Sequence, residues 1–197
     1  MLNKLIIASN NAKKRQEIAN ILGGLGIEIV IANATAFVHV EEDADSFAGN
    51  ACKKAEAFAK ANNLPALADD SGLCVDVLNG APGIYSARFA GETATDSENN
   101  AKLLELLNGK DNRSAHFTCA LHLAYPDSSM PLSYEAQVDG KILEKAVGDS
   151  GFGYDPLFFC PELDKAFANA SPEEKASVSH RGRALRQLAE QLKRSLL

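Results

Sequence analysis

Five stretches of the chain hold residue types that could act together on a charged substrate. Ser9-Asn10-Asn11-Ala12-Lys13-Lys14 follows an apolar run and opens a helical pattern. Backbone amides at a helix start, small polar side chains and lysines suit an anion such as phosphate. A polar strand-to-helix turn with solvated lysines is the plainer alternative. The glycines and the Gly-Lys-Ser/Thr ending of a Walker A loop are absent. Lys54 is the second candidate. On a helical wheel Phe47, Ala51, Ala55 and Phe58 share one face, with Asn50 and Lys54 on or beside it. Lys53, Glu56 and Lys60 fall opposite. An inward lysine must snorkel, pair with a carboxylate or meet a bound anion, because burying it unpaired is costly. The third candidate is acidic. Glu41, Glu42, Asp43 and Asp45 precede the Lys54 helix, and Asp69-Asp70 stands before Ser71-Gly72. Two carboxylates at a strand end and its tight turn could hold Mg²⁺, which prefers hard oxygen ligands. Plain turn chemistry and a solvated acidic loop are the alternatives.

Two more stretches lie toward the C-terminus. Gly148-Asp149-Ser150-Gly151-Phe152-Gly153-Tyr154-Asp155-Pro156 places aromatics and an acid between glycines. Such a loop can stack a planar base, or simply cover a core. Lys175 and Ser179-His180-Arg181-Gly182-Arg183 put cations where a helix begins, against its macrodipole, which suits a bound anion or a solvated basic turn. Each stretch alone is weak. Their combination in one chain points to a phosphate-bearing ligand and a metal.

Composition narrows the classes. The chain has 197 residues, enough for one large domain or two lobes sharing a core. Its net charge of -6 argues against a general nucleic-acid binder, so a polyanion would need local cations or a metal. Cys52, Cys74, Cys119 and Cys160 form no CxxC-type pair, which disfavours a zinc knuckle and suits free thiols in a reducing cytosol. The apolar run Leu5-Ile6-Ile7-Ala8 is too short for a signal-peptide core, and no stretch approaches a membrane span. A cytoplasmic protein is expected.

The elements that must position these residues follow from periodicity. Lys4–Ala8 reads as a buried strand, Lys13–Leu22 as a helix ended by Gly23-Gly24, and Ile27–Ile31 as a strand. Phe47–Asn62 is helical, with Ser46 a candidate N-cap. Ala66–Ala68 is a short strand, and Leu73–Leu78 another. Thr95-Asp96-Ser97-Glu98 has capping-box form and opens a helix ending near Gly109. Apolar residues at odd positions from Ala115 to Leu123 predict a strand with one buried face. Tyr125–Ser129 turns it toward a hairpin partner at Leu132–Val138. Ser171-Pro172-Glu173-Glu174 opens one helix, and Ser179 is a candidate cap for a second, with Leu185, Leu188, Leu192 and Leu196 on one stripe. This is an α/β protein with a mixed sheet.

The chain resembles the inosine triphosphate pyrophosphatase family, the XTP/dITP pyrophosphatases. The similarity runs from the first strand to the last helix. It rests on residues 9–14, Ala68-Asp69-Asp70-Ser71-Gly72-Leu73, Gly80-Ala81-Pro82-Gly83-Ile84-Tyr85-Ser86-Ala87-Arg88, Gly151-Phe152-Gly153-Tyr154-Asp155-Pro156 and Ser179-His180-Arg181, in the family's order. The resemblance implies a single domain over residues 1–197 with an elongated, two-lobed mixed β-sheet flanked by helices. It implies an active-site cleft between the lobes, a homodimer, and Mg²⁺-dependent hydrolysis of ITP, XTP and their deoxy forms to monophosphate and pyrophosphate. Carried over, Ser9, Asn10, Asn11, Ala12, Lys13 and Lys14 bind substrate, with Lys14 on the phosphates. Asp70 matches the catalytic carboxylate and a metal ligand, and Glu41 a second metal acid. Lys54, Ser71, Phe152, Gly153, Tyr154, Asp155, Lys175, His180 and Arg181 match substrate-contacting positions. The family commonly has Glu where this chain has Gly49, so metal binding here leans on Glu41 or Glu42. A nucleotide sensor and a pyrophosphatase preferring modified pyrimidine nucleotides are the competing classes, separated by pyrophosphate release from ITP and by a substrate panel.

Overall fold

A computed structural model describes residues 2–31, 38–127 and 129–194. The chain divides into two compact units. The first comprises Met1–Asp70, Cys119–Ala136 and Arg181–Leu197, and the second Ser71–Thr118 and Gln137–His180. Seven strands make one sheet in the order β2-β1-β3-β4-β5-β6-β7. They are β1 (Lys4–Ile7), β2 (Glu28–Ile31), β3 (Ala66–Val75), β4 (Ser114–Ala124), β5 (Leu132–Ile142), β6 (Phe158–Cys160) and β7 (Lys165–Ala166). β1 runs parallel to β2 and β3, whereas β6 is antiparallel to β5 and β7. The sheet is therefore mixed, as the sequence pattern implies.

Strand alternation organises the first unit. Leu5, Ile7, Leu67, Cys119, Leu121 and Leu123 share a core with α1 (Ala12–Leu22) and α5 (His180–Arg194), through Ile18, Leu22, Leu185, Leu188 and Leu192. Ile6, Ala66, Ala68 and Ala124 pack instead with Ala55, Phe58 and Ala59 of α2 (Phe47–Asn62). Successive side chains on a strand point to opposite faces, so α1 and α5 cover one face and α2 the other. The α2 boundaries and the Ser46 cap match the sequence reading, with Gly49 N–H donating to Ser46 Oγ. Asn11 caps α1, its side-chain oxygen accepting from the amides of Lys13 and Lys14. Leu196 of the apolar stripe and Ser128 of the expected turn lie outside the described residues.

The second unit holds α3 (Asp96–Leu106) and α4 (Pro172–Val178), both opened by complete capping boxes. Its core gathers Leu73, Val75, Leu103, Val138, Ile142 and Leu157 with the aromatic rings of Phe117, Phe158 and Phe167.

Two expectations are corrected. The run Asp69-Asp70-Ser71-Gly72 is not a turn between strands; it is the middle of β3, and Asp76–Leu78 is a short 3-10 helix. Backbone groups in that run stay in the sheet because the acidic side chains find cations on both faces. β4 does not have one polar face. From Phe117 onward it is buried throughout, including Thr118 and His122, because it is an inner strand covered on both sides.

Candidate active site

Asp70 lies on the α2 face of β3. Its Oδ2 accepts a hydrogen bond from Asn50 Nδ2 at 3.1 Å, and its Oδ1 is 3.4 Å from Lys54 Nζ. Asn50 and Lys54 stand one turn apart on α2, so both reach the same carboxylate. Lys54 also donates to Glu42 Oε2 at 2.9 Å. Asn50 closes the arrangement from the other side by accepting the Ala44 amide at 3.0 Å. Two carboxylates thus converge on one ammonium in a largely buried setting. Burial and the Glu42 charge push the Asp70 pKa up, against the pull of Lys54, Lys14 and Asn50. Burial alone would lower the Lys54 pKa, but the fields of Asp70, Asp69 and Glu42 raise it.

Asp69 points the other way, toward α1 and α5. Arg181 donates through Nε and Nη2 to Asp69 Oδ2 at 3.1 and 2.9 Å, and Lys14 Nζ stands 3.3 Å from the same oxygen. Glu17 of α1 takes Arg181 Nη1. Burial would raise the Asp69 pKa, but Lys14, Arg181 and Lys54 outweigh it and hold the carboxyl far below the usual range. Arg181 is 2% exposed, so the basic start of α5 is not a solvated turn. The macrodipole objection to a cation there is answered by Asp69 and Glu17.

The remaining candidates of the first unit divide. In the stretch 9–14, Asn10, Asn11, Ala12 and Lys13 are exposed, while Ser9 and Lys14 are half-buried. Ser9 Oγ accepts from the Asn11 amide, and Ser9 O from Arg15 Nη1, which fixes the loop before the helix. Glu42 faces Lys54, whereas Glu41 is exposed and lines a separate concavity with His39, Val40, Lys53, Glu56 and Lys60. Gly49 has a steric reason: a Cβ there would stand 2.8 Å from Ala44 Cβ, so glycine lets the acidic stretch lie close against α2. Asn50 was only an inward position in the sequence, and Glu17 gave no signal. The i, i+4 spacing of Asn50 and Lys54 was the available clue to the former.

The second unit carries the other candidates. Asp155 is buried, and its Oδ2 accepts from the Phe152 amide at 2.8 Å and from Lys175 Nζ at 2.7 Å. The Lys175 ammonium sits 4.6 Å from the centroid of the Phe152 ring, a cation–π contact. Gly151 has φ of 81°, and a Cβ there would fall 2.2 Å from Asp155 Oδ2, so this loop requires glycine. Asp96 Oδ2 accepts the Gly153 amide, and Tyr154 donates its hydroxyl to Ser86 O at 2.9 Å from within the core. The loop is thus rigidly built and presents a half-buried Phe152. The His180 ring stacks on Phe117 at 4.8 Å, and Ser71 is half-buried on β3.

A mixed sheet bearing a buried carboxylate–lysine site beside a capped lysine loop defines an α/β enzyme built to handle anions. The chain belongs to the Ham1 family, whose model matches residues 5–191. It is 49% identical over 194 residues to the dITP/XTP pyrophosphatase of Desulforamulus reducens, covering 97% of this chain and 96% of that one. Among solved structures, a HAM1 protein from Coxiella burnetii superposes with a TM-score of 0.90 at 40% identity, covering 98% of this chain and all of that one. The Ham1 protein of Staphylococcus aureus gives 0.87, also at 40%, covering 98% and 99%. Among the described residues no helix is long and apolar enough to cross a membrane.

Proposed function

We propose that this protein hydrolyses the triphosphates of inosine and xanthosine, in ribo and deoxy forms, to the monophosphate and pyrophosphate, with Mg²⁺ bound at Asp70. The observation that carries the reading is the buried Asp70 beside Glu42 and Lys54, in a chain 49% identical to a dITP/XTP pyrophosphatase. A noncanonical purine triphosphate is the substrate class.

The donor set fits magnesium. Asp70 and Glu42 offer hard carboxylate oxygens, and between them they share the single ammonium of Lys54. Those two residues would hold the ion; Glu41 would enter only by turning from its exposed position. Bound there, Mg²⁺ supplies charge neutralisation for the phosphates. Asp70 accepts a proton from water as the water oxygen bonds to the α-phosphorus. The bond from that phosphorus to its bridging oxygen breaks, and the electron pair leaves with pyrophosphate. A carboxylate fixed by Asn50 and Lys54 is a positioned base for this step. Lys54 and Lys14, with the exposed Lys13 and the Ser9–Ala12 loop, are the cations and donors for the phosphates. Lys54 also keeps Asp70 and Glu42 from repelling each other.

Base selection is a separate task. Inosine and xanthosine present a 6-keto acceptor where adenosine has an amino donor, so donors aimed there are left unpaired by adenosine. Phe152 is the candidate stacking surface, fixed by Gly153, Tyr154 and Asp155 and backed by Lys175. Ser71 and His180 are further candidate contacts. Arg181 serves by holding Asp69, and thereby the strand that carries Asp70. A cytoplasmic homodimer belongs to the same reading, supported by the family resemblance.

The test is pyrophosphate release from ITP, XTP, GTP and ATP with and without Mg²⁺, for the parent protein and Asp70→Asn. Release from ITP and XTP that needs both Mg²⁺ and Asp70 is expected. Equal rates for all four nucleotides, or full activity of Asp70→Asn, would overturn the proposal.

A further inference from the structure

We propose a second metal site, for Zn²⁺ or a metal of similar softness, formed by Cys52, Glu56 and His122 on the first unit. Cys52 and Glu56 are four residues apart and share a side of α2. Cys52 is about 200° around the helix from Asn50, so this side is not the one that serves Asp70. His122 is on β4 and, two residues before Ala124, faces α2. One ligand atom from each of Cys52, Glu56 and His122 lies within 4.8 Å of the others. A tetrahedral zinc with one sulfur, one nitrogen and one oxygen ligand needs separations of about 3.3–3.7 Å, a closure of roughly 1 Å. Cys52 is half-buried and Glu56 exposed, so rotation of these two side chains would supply that.

The histidine is the observation that points to a ligand. His122 is 92% buried, with 8% of its surface exposed. Its Nε2 is buried and has no hydrogen-bond partner among the described residues. A buried imidazole nitrogen left without a partner is costly. Its other nitrogen is taken: Nδ1 lies 2.8 Å from Ser133 Oγ on β5. With Nδ1–H donating to that hydroxyl, the lone pair left for a metal shared with Cys52 and Glu56 is that of Nε2. Metal-bound histidines are oriented in this way by an outer hydrogen bond. Cys52 Sγ is 3.5 Å from Glu56 Oε1, so without metal the thiol donates its proton in a hydrogen bond to the carboxylate. Zinc would displace that proton to solvent and leave a thiolate, a carboxylate and a neutral imidazole.

Three protein ligands leave a fourth position. A cavity of about 330 Å³ adjoins Glu56 and His122, walled by Lys60, Tyr125, Pro126 and Pro131. It has room for a water molecule or a small anion as the fourth ligand. Soft sulfur and borderline nitrogen select zinc over magnesium, whereas the carboxylates around Asp70 select magnesium. The two sites therefore sort metals by donor chemistry, and the zinc site ties α2 to β4.

The test uses the full chain, stripped with chelator and kept in excess Mg²⁺ so that oxygen-only sites are filled. Co²⁺ is the spectroscopic probe and Zn²⁺ the competitor. One equivalent of Co²⁺ should give a thiolate-to-cobalt charge-transfer band, and one equivalent of Zn²⁺ should abolish it. Cys52→Ser should remove the band, while Cys74→Ser keeps it. His122→Gln should weaken Zn²⁺ binding about 100-fold, and Ser133→Ala about tenfold, through the outer hydrogen bond. Zn²⁺ should raise the melting temperature of the parent and not that of folded Cys52→Ser. A band that survives in Cys52→Ser, or Zn²⁺ binding indifferent to His122→Gln in a protein that still melts cooperatively, would overturn the proposal. So would the absence of any thiolate band in the parent.

Discussion

The two faces of β3 treat adjacent carboxylates in opposite ways. On the α1–α5 face Asp69 meets Arg181 and Lys14, and Glu17 completes the pairing of Arg181. On the α2 face Asp70 and Glu42 converge on Lys54. The first face is electrostatically closed, and its carboxyl is held far below the usual pKa range. The second is short of positive charge, and its carboxyl is pushed up. The contrast separates structure from chemistry within two residues. A charge-balanced acid holds the strand, and its neighbour, which shares the single ammonium of Lys54 with Glu42, is left to bind a cation and accept a proton.

Breaking the open face should cost activity rather than fold. Asp70→Asn should lower ITP turnover by about 10²–10⁴-fold, the usual contribution of a positioned base, with cooperative melting retained. A steady-state assay beside a melting curve checks both halves. Lys54→Met comes next. It removes the ammonium that Asp70 and Glu42 share, and should lower turnover by about 10²-fold. Turnover near the parent level would mean that Lys54 is only a structural partner.

Breaking the closed face should do the reverse. Asp69→Asn leaves the buried Arg181 without its fully buried carboxylate and should destabilise the protein by about 3–5 kcal/mol, measured by denaturant unfolding. A loss under about 1 kcal/mol would place the anchoring of Arg181 on Glu17 instead. The pH dependence sharpens the same point. The folded pKa of Asp69 lies below its unfolded value of 3.8. Its contribution is fully present above the unfolded pKa and is lost as pH falls through the folded one, because the unfolded chain binds the proton first. The acid limb of the stability curve should therefore flatten in Asp69→Asn.

The smallest comparison is between neighbours in the acidic run. Glu42→Gln should weaken Mg²⁺ activation about tenfold, and Glu41→Gln should change it less than about twofold. The reverse order would move the second metal acid to Glu41, the position that family resemblance alone assigns.

Much of this is legible in the amino-acid sequence. The α2 wheel placed Lys54 and Asn50 inward, and the structure finds both on Asp70. The capping signals at Ser46, Thr95 and Ser171 marked three helix starts. Illegible were the continuity of β3 through Asp69-Asp70-Ser71-Gly72 and the burial of both faces of β4. Local rules favour a turn at Asp and Gly, and an alternating pattern suggests a solvated face. Both rules yield when neighbouring strands and helices supply partners that local sequence does not contain.

The sequence by itself determined the paired acids and the inward Lys54 and Asn50, through residue type and helical period; that Asp69 and Asp70 face opposite ways follows only once β3 is seen to run through them. Only the tertiary structure decided what each would meet. Arg181 is 112 residues from Asp69 and 164 from Glu17, and Lys54 is 16 from Asp70. Pairings at such separations come from which helix covers which face of the sheet. The long-range packing of α1, α2 and α5 sets that choice, and it is what makes one acid a strut and its neighbour a site.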